Sequence, residues 1–150
     1  MNFYHRFVYP NLSVLEIDQT DSIMGVIKND LNNYYRHAFG KIVIEMIRSG
    51  IIKLLFIHRG VKRFWKKDVE IDAVAVNEET GGICFIECKF SDNVDGIQIY
   101  HNLKYKSISV DFRSNKEYYM VIAKSYRTRS EDSINLDFQE LDKLTRKVDK

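Results

Sequence analysis

Apolar residues fall along this chain in runs whose period changes from helical to extended and back. Between Asp21 and Gly50 they recur three or four apart, first through Ile23, Met24, Ile27 and Leu31 and then through Phe39, Ile42, Val43, Met46 and Ile47. That spacing predicts helices opened by Thr20 or Asp21 as N-cap and closed at Gly50. Leu54 to His58 reads as a first strand. Two longer strands follow, Val69 to Asn77 and Ile83 to Phe90, both rich in Val, Ile and Phe. Their connection, Glu78-Glu79-Thr80-Gly81-Gly82, is polar and glycine-containing, which predicts an antiparallel hairpin. Val94 to Ile108 returns to mostly helical spacing, Glu117 to Ala123 is a further strand, Ile134 to Phe138 a short one, and Glu140 to Val148 a terminal helix. A strand, helix, strand crossover normally makes the later strand parallel to the earlier one. The expected class is therefore α/β, a three-layer sandwich with a mixed central sheet of about four to five strands and helices on both faces.

The hairpin carries the chemistry. With Glu78 to Gly81 as the loop, Asn77 pairs with Gly82, and counting back sets Val76 against Ile83, Val74 against Phe85, Asp72 against Glu87 and Glu70 against Lys89. One face is then apolar near the turn and charged at its far end, with opposed Cβ atoms roughly 5 Å apart. The other face, with Ile71, Ala73, Ala75, Cys84, Ile86, Cys88 and Phe90, is uncharged, and a sheet apolar on both sides is covered on both sides. Two opposed carboxylates repel each other, and three arrangements relieve that. One acid is protonated, Lys89 offsets both, or a divalent cation binds between them. The first two also occur in purely structural ion clusters. Oxygen ligands beside a fixed lysine suit Mg²⁺ or Mn²⁺ with open coordination positions.

Asp72 followed by Glu87-Cys88-Lys89 resembles the signature of the PD-(D/E)xK nuclease superfamily. Phe7-Val8-Tyr9-Pro10-Asn11, Trp65 ahead of Glu70-Ile71-Asp72, Glu87-Cys88-Lys89-Phe90 and Leu103 to Lys106 are similar to the nuclease-like C-terminal domain of archaeal ATPases, a domain of poorly defined function. The resemblance implies a restriction-endonuclease-like sandwich over residues 19–150, with residues 1–18 a linker remnant and N-terminal extension. It also implies that Asp72 and Glu87 coordinate the metal, that the backbone carbonyl of Cys88 adds a ligand, that Lys89 activates or orients water, and that Glu70 tunes the site. One departure stands out. The family carries Phe-Glu on the helix before the hairpin, whereas Ala38-Phe39-Gly40-Lys41 places Gly40 at the glutamate's position. Glu45 is five residues on, about 140° round a helix, and faces elsewhere.

The remaining chemistry changes this picture only at its edges. A chain of 150 residues, 45% hydrophobic and 13% aromatic, buries one proper core. The formal net charge of +2 neither demands nor excludes nucleic acid. His58 to Lys67 combines Arg59, Lys62, Arg63, Lys66 and Lys67 with Phe64 and Trp65, so Arg63, Lys66 and Lys67 are candidates for phosphate contacts and Trp65 for base stacking. The plainer account is a solvated loop with Trp65 anchored in the core. Lys124, Arg127 and Arg129 form a second basic group. The four histidines lack zinc-ligand spacing, and Cys84 and Cys88, four apart on one strand, cannot bond each other. No Gly-Lys-Ser/Thr phosphate loop, secretory leader or membrane-length apolar run is present in these residues. The expectation is a soluble cytoplasmic protein with nucleic acid, DNA foremost, as partner, alongside a partner ATPase. A homodimer is also compatible with the sequence. The alternative is a catalytically degenerate module that binds nucleic acid or the ATPase.

Overall fold

A computed structural model of the chain describes residues 4–12, 20–112 and 114–147. Two compact units are present, residues 1–37 and 38–150. In the first, a π-helical turn at Tyr4–Val8 and a 3₁₀ turn at Tyr9–Asn11 precede the long helix, and the Arg6 guanidinium pairs with Asp30 at 3.0 Å. The expected linker remnant at 1–18 falls partly on residues outside the described ones, as does Val148, the expected end of the terminal helix.

The helical spacing before the hairpin becomes one helix, α1 (Thr20–Arg48), rather than two segments. Nothing between its two apolar runs breaks it: there is no proline, and Gly25 and Gly40 are tolerated. Gly50 follows its end with φ +76, the left-handed conformation of a helix stop.

Strands β1 (Gly60–Lys66), β2 (Val69–Asn77), β3 (Gly82–Lys89), β5 (Lys116–Ala123) and β7 (Ile134–Leu136) form one mixed sheet in the order β1-β2-β3-β5-β7. The first three are antiparallel, and β3, β5 and β7 run parallel. β4 (Val94–Asp95) and β6 (Tyr126–Thr128) make a small parallel pair beside it. Helix α2 (Gly96–Ser107) is the crossover from β3 to β5, and α3 (Phe138–Arg146) closes the fold. On one face Phe39, Val43, Met46 and Ile47 of α1 and Leu141 of α3 pack on Ala73, Ala75, Cys84, Ile86, Met120 and Ile122. On the other, Tyr100 and Leu103 of α2 pack on Ile71, Val74, Ile83, Phe85 and Tyr119. The chain is thus a three-layer α/β sandwich.

The first strand corrects the expectation. Leu54 to His58 is irregular, with Ile57 85% exposed, and pairing with β2 starts only at Gly60. The segment read as a basic loop is the edge strand itself. Having one neighbour, it buries Val61 and leaves Lys62, Arg63, Trp65 and Lys66 exposed, and charge on an edge blocks pairing with other chains. Lys67, at φ 55, opens the two-residue turn into β2.

Candidate metal and phosphate site

The β2–β3 hairpin starts from its turn. Asn77, buried, accepts hydrogen bonds from the backbone N–H groups of Glu79 and Thr80 and donates to the Ile57 carbonyl at 2.6 Å. Gly81 has φ +65, the left-handed conformation that favours glycine, and a Cβ there would have to push aside the Asn115 side chain, 2.7 Å away. From this turn the register runs as the spacing predicts: Asn77 with Gly82, Val76 with Ile83, Val74 with Phe85, Ala73 with Ile86. There the ladder ends.

The cause lies on the other edge of β2. β1 pairs Lys62 with Val74 and Phe64 with Ile71, so Arg63 alone stands opposite Asp72 and Ala73. This is a β-bulge, one extra residue that bends the strand and re-aims its side chains. It shifts the alternation, placing Ile71 on the α2 face with Val74 instead of on the α1 face with Ala73 and Ala75. It also replaces the expected direct opposition of Asp72 and Glu87. Where the ladder has opened, Asp72 Oδ2 accepts the backbone N–H of Cys88 at 2.8 Å, which satisfies a donor that the lost pairing would strand.

Glu87 continues the α2-facing alternation of Ile83 and Phe85 and is only 5% exposed. A carboxylate so buried needs compensation. Lys89 Nζ donates to its Oε1 at 2.7 Å, and Lys106 Nζ, from the last turn of α2, donates to Oε1 at 3.0 Å and Oε2 at 3.1 Å. Lys106, which the resemblance includes within Leu103 to Lys106 but gives no role, is brought to Glu87 by the packing of α2. Leu103 packs on the face that Glu87 shares, and a residue three further on lies on the same side of the helix. Asp68, Val69, Glu87, Lys89, Tyr105 and Lys106 line a cavity of about 330 Å³ at this point.

Burial is the main influence holding the Asp72 carboxyl above its ordinary value, and the charge of Glu87 is the second. The Cys88 N–H, Lys89 and Lys106 pull the other way without cancelling it. Burial pushes the Cys88 thiol well up, so its sulfur is a neutral core group, and both cysteines are free as expected. Asp72 and Glu87 are hard oxygen donors of the kind a divalent cation takes, and the Cys88 carbonyl is the further ligand that the resemblance implies; such a set leaves most positions of the ion to water. Among the described residues no group of three or more His, Cys, Asp or Glu is placed to hold a metal. Gly40 supplies no third carboxylate, although a Cβ there would meet nothing within 4 Å.

The other candidates lie apart from this cluster. Glu70 pairs with Trp65 across β1 and its carboxylate binds Arg63, so it is not brought to Lys89. Lys66 binds Asp111 at 2.6 Å. Trp65 is 78% exposed on the edge strand, which overturns the core-anchored account. Arg63, with Arg59, Lys62 and Phe64, lines a second cavity of about 570 Å³ along β1, which shares no lining residue with the first. Lys124, Arg127 and Arg129 are tied to Asp92, Asp95 and the pair Asp137 and Glu140. Those ties hold the ends of α2 and α3 in place. No helix among the described residues is long and apolar enough to cross a membrane.

A family model described as archaeal and bacterial proteins of unknown function matches residues 4–106, which include the bulge, Glu87, Lys89 and Lys106. An uncharacterized protein of Methanocaldococcus jannaschii is 31% identical over 131 residues, covering 85% of this chain. The chain spans 29% of that relative's length. No solved structure matches the chain.

Proposed function

This chain belongs to DUF234, a family of archaeal and bacterial proteins of unknown function, and on that footing we propose that it is a metal-dependent, nuclease-like domain of the PD-(D/E)xK kind that hydrolyses phosphodiester bonds in nucleic acid, DNA foremost. The observation that carries this reading is the break in the hairpin. A bulge turns Asp72 onto the Cys88 N–H, next in sequence to Glu87, and Glu87 with Asp68, Lys89 and Lys106 lines a cavity of mixed charge. Asp72, Glu87 and the Cys88 carbonyl would hold Mg²⁺ or Mn²⁺, which supplies a water acidified for attack and charge to stabilise the phosphorane.

The residues of the chain do the rest. Lys89 holds the attacking water and offsets charge developing on phosphate oxygens, a role that its contact with Glu87 fixes in direction. Asp72 is held by a backbone donor, so its carboxylate has one orientation before any ligand arrives. The exposed Trp65 and the Arg59, Lys62 and Arg63 edge give a sequence-independent surface for the strand's backbone and bases. The resemblance to the C-terminal domain of archaeal ATPases supports action beside an ATPase.

A second reading is favoured by a specific observation. Both oxygens of Glu87 already accept from lysine, and Gly40 adds no carboxylate, an arrangement that also suits a non-catalytic module binding nucleic acid or a partner ATPase. Cleavage assays with single-stranded, duplex and branched DNA and with RNA, in Mg²⁺ or Mn²⁺, separate the two. The proposal expects cleavage by wild type that Asp72→Ala, Glu87→Ala and Lys89→Ala each abolish. Cleavage that survives all three changes, or is absent from wild type on every substrate, would sink it and leave the binding module.

A further inference from the structure

Glu87 is neutralised by two ammonium groups that differ in how they are held. Lys89 sits two residues away on the same strand and touches only Oε1. Lys106 arrives from α2 and, among the described residues, is the one donor to Oε2, while it shares Oε1 with Lys89. Lys106 makes two of these three contacts, so a cation that binds through Oε2 or through both oxygens meets its ammonium 3.0–3.1 Å from those ligand atoms. Oε2 is the oxygen whose release disturbs one contact rather than two.

Both ammonium groups reach solvent, Lys89 at 40% and Lys106 at 30% side-chain exposure, but of the two it is Lys106 that holds Oε2, and it lines the 330 Å³ cavity with Lys89. A four-carbon stem lets its ammonium swing within that cavity without burying an unpaired charge. A strand phosphate at the cavity would compete with Asp68, which lines it too, to receive that ammonium alongside Lys89.

We propose that Lys106 is an internal counter-cation of Glu87, displaced when a divalent ion binds and then available as the phosphate ligand of the same site. This rests on the metal-dependent reading above. It adds a regulatory consequence. Without the ion, Lys106 is spent on Glu87 and the cavity holds phosphate weakly; with it, one ammonium is released toward the strand. Metal and nucleic acid therefore bind with positive coupling, and linkage makes that coupling reciprocal.

Calorimetric titration of Mn²⁺ into wild type, Lys106→Gln and Lys106→Arg tests this, with and without a short phosphorothioate DNA oligonucleotide and with circular dichroism to verify the fold. Lys106→Gln removes the competitor, so it should bind Mn²⁺ on the order of tenfold more tightly than wild type while losing the mutual enhancement between Mn²⁺ and oligonucleotide. Lys106→Arg keeps the charge and offers Glu87 a bidentate fork, so it should bind Mn²⁺ more weakly than wild type, a result that stands even if the glutamine variant does not fold. Equal Mn²⁺ affinity in wild type and both variants overturns the displacement while leaving the metal site intact. Absence of Mn²⁺ binding from wild type overturns the metal-dependent reading and the displacement together.

Discussion

The two halves of one hairpin behave as different materials. Near the turn, β2 and β3 pair in strict register, and the side chains between them, Val74, Ile83 and Phe85, are buried apolar groups packed against α2. Beyond Ala73 and Ile86 the pairing stops, and the same two strands present Asp72, Glu87 and Lys89 to one another and to Lys106. The first half is held by burial and ladder hydrogen bonds. The second is held by charge-assisted contacts around one missing ladder step, and that step is lost because β2 carries an extra residue against β1. A regular hairpin is a poor place for two acids. A hairpin opened at one end by a bulge turns one of them, Asp72, onto a backbone N–H while the other, Glu87, is met by two lysines.

Substitutions can break each half separately. The largest effect belongs to the closed half: Phe85→Ala, at a side chain only 2% exposed, should lower unfolding free energy by about 3–5 kcal/mol in urea titration. A cost below about 1 kcal/mol there would mean that the α2 face is not the packed layer described. The open half should respond in the opposite sense. Asp72→Asn keeps the size of the side chain and an acceptor for the Cys88 N–H, and it removes a charge that burial and Glu87 both disfavour. It should leave stability unchanged or raised while lowering cleavage by roughly 10²- to 10³-fold. A variant that loses stability and keeps activity would reverse the assignment of the two halves.

Smaller effects test the elements that carry the halves. Gly40→Ala meets no neighbour within 4 Å and should stabilise α1 by about 1 kcal/mol, read from the denaturant midpoint. Gly40→Glu, on the same free space, offers the third carboxylate that the resemblance expects, and tighter Mn²⁺ binding than wild type is the outcome if that position faces the site. The smallest effect concerns Asp95, the N-cap of α2, which accepts from the Gln98 N–H and from Thr128. The Thr128 hydroxyl first, then Gln98 and Arg127, lower its carboxyl from 3.8 to about 2. A depressed folded value gives stability that is present above the unfolded value and lost as pH falls through the folded one. Wild type should therefore lose its advantage over Asp95→Asn only as pH falls from about 4 to about 2, and a difference that grows with acid would contradict the cap's role.

How much of this was legible in the chain depends on how local each cause is. The turn and the register near it follow from Asn77, Gly81 and the alternation of Val and Ile, all within a few residues, and the parallel β3–β5 crossover follows from one helix between two strands. The bulge was not legible, because it is a mismatch between β2 and β1, and β1 hides its strand character behind Lys62, Arg63 and Lys66 on an edge that buries only Val61. Glu70 was misplaced for the same reason, since beyond the bulge it answers to Arg63 and Trp65 rather than to Lys89. The basic edge and Trp65 were recognisable as chemistry before their structure was. Lys106 lies 19 residues from Glu87, and only the packing of α2 through Leu103 brings the two together.

The central claim, that the open half of the hairpin is a cation site and not a structural ion cluster, is tested most directly by calorimetric titration of Mg²⁺ and Mn²⁺ into wild type, Asp72→Asn and Glu87→Gln. The account predicts saturable binding of one ion to wild type that both substitutions abolish while circular dichroism shows the fold intact. Wild type that binds neither ion, or substituted proteins that bind as well as it does, would contradict the claim and leave Asp72, Glu87, Lys89 and Lys106 as a network that serves only the fold.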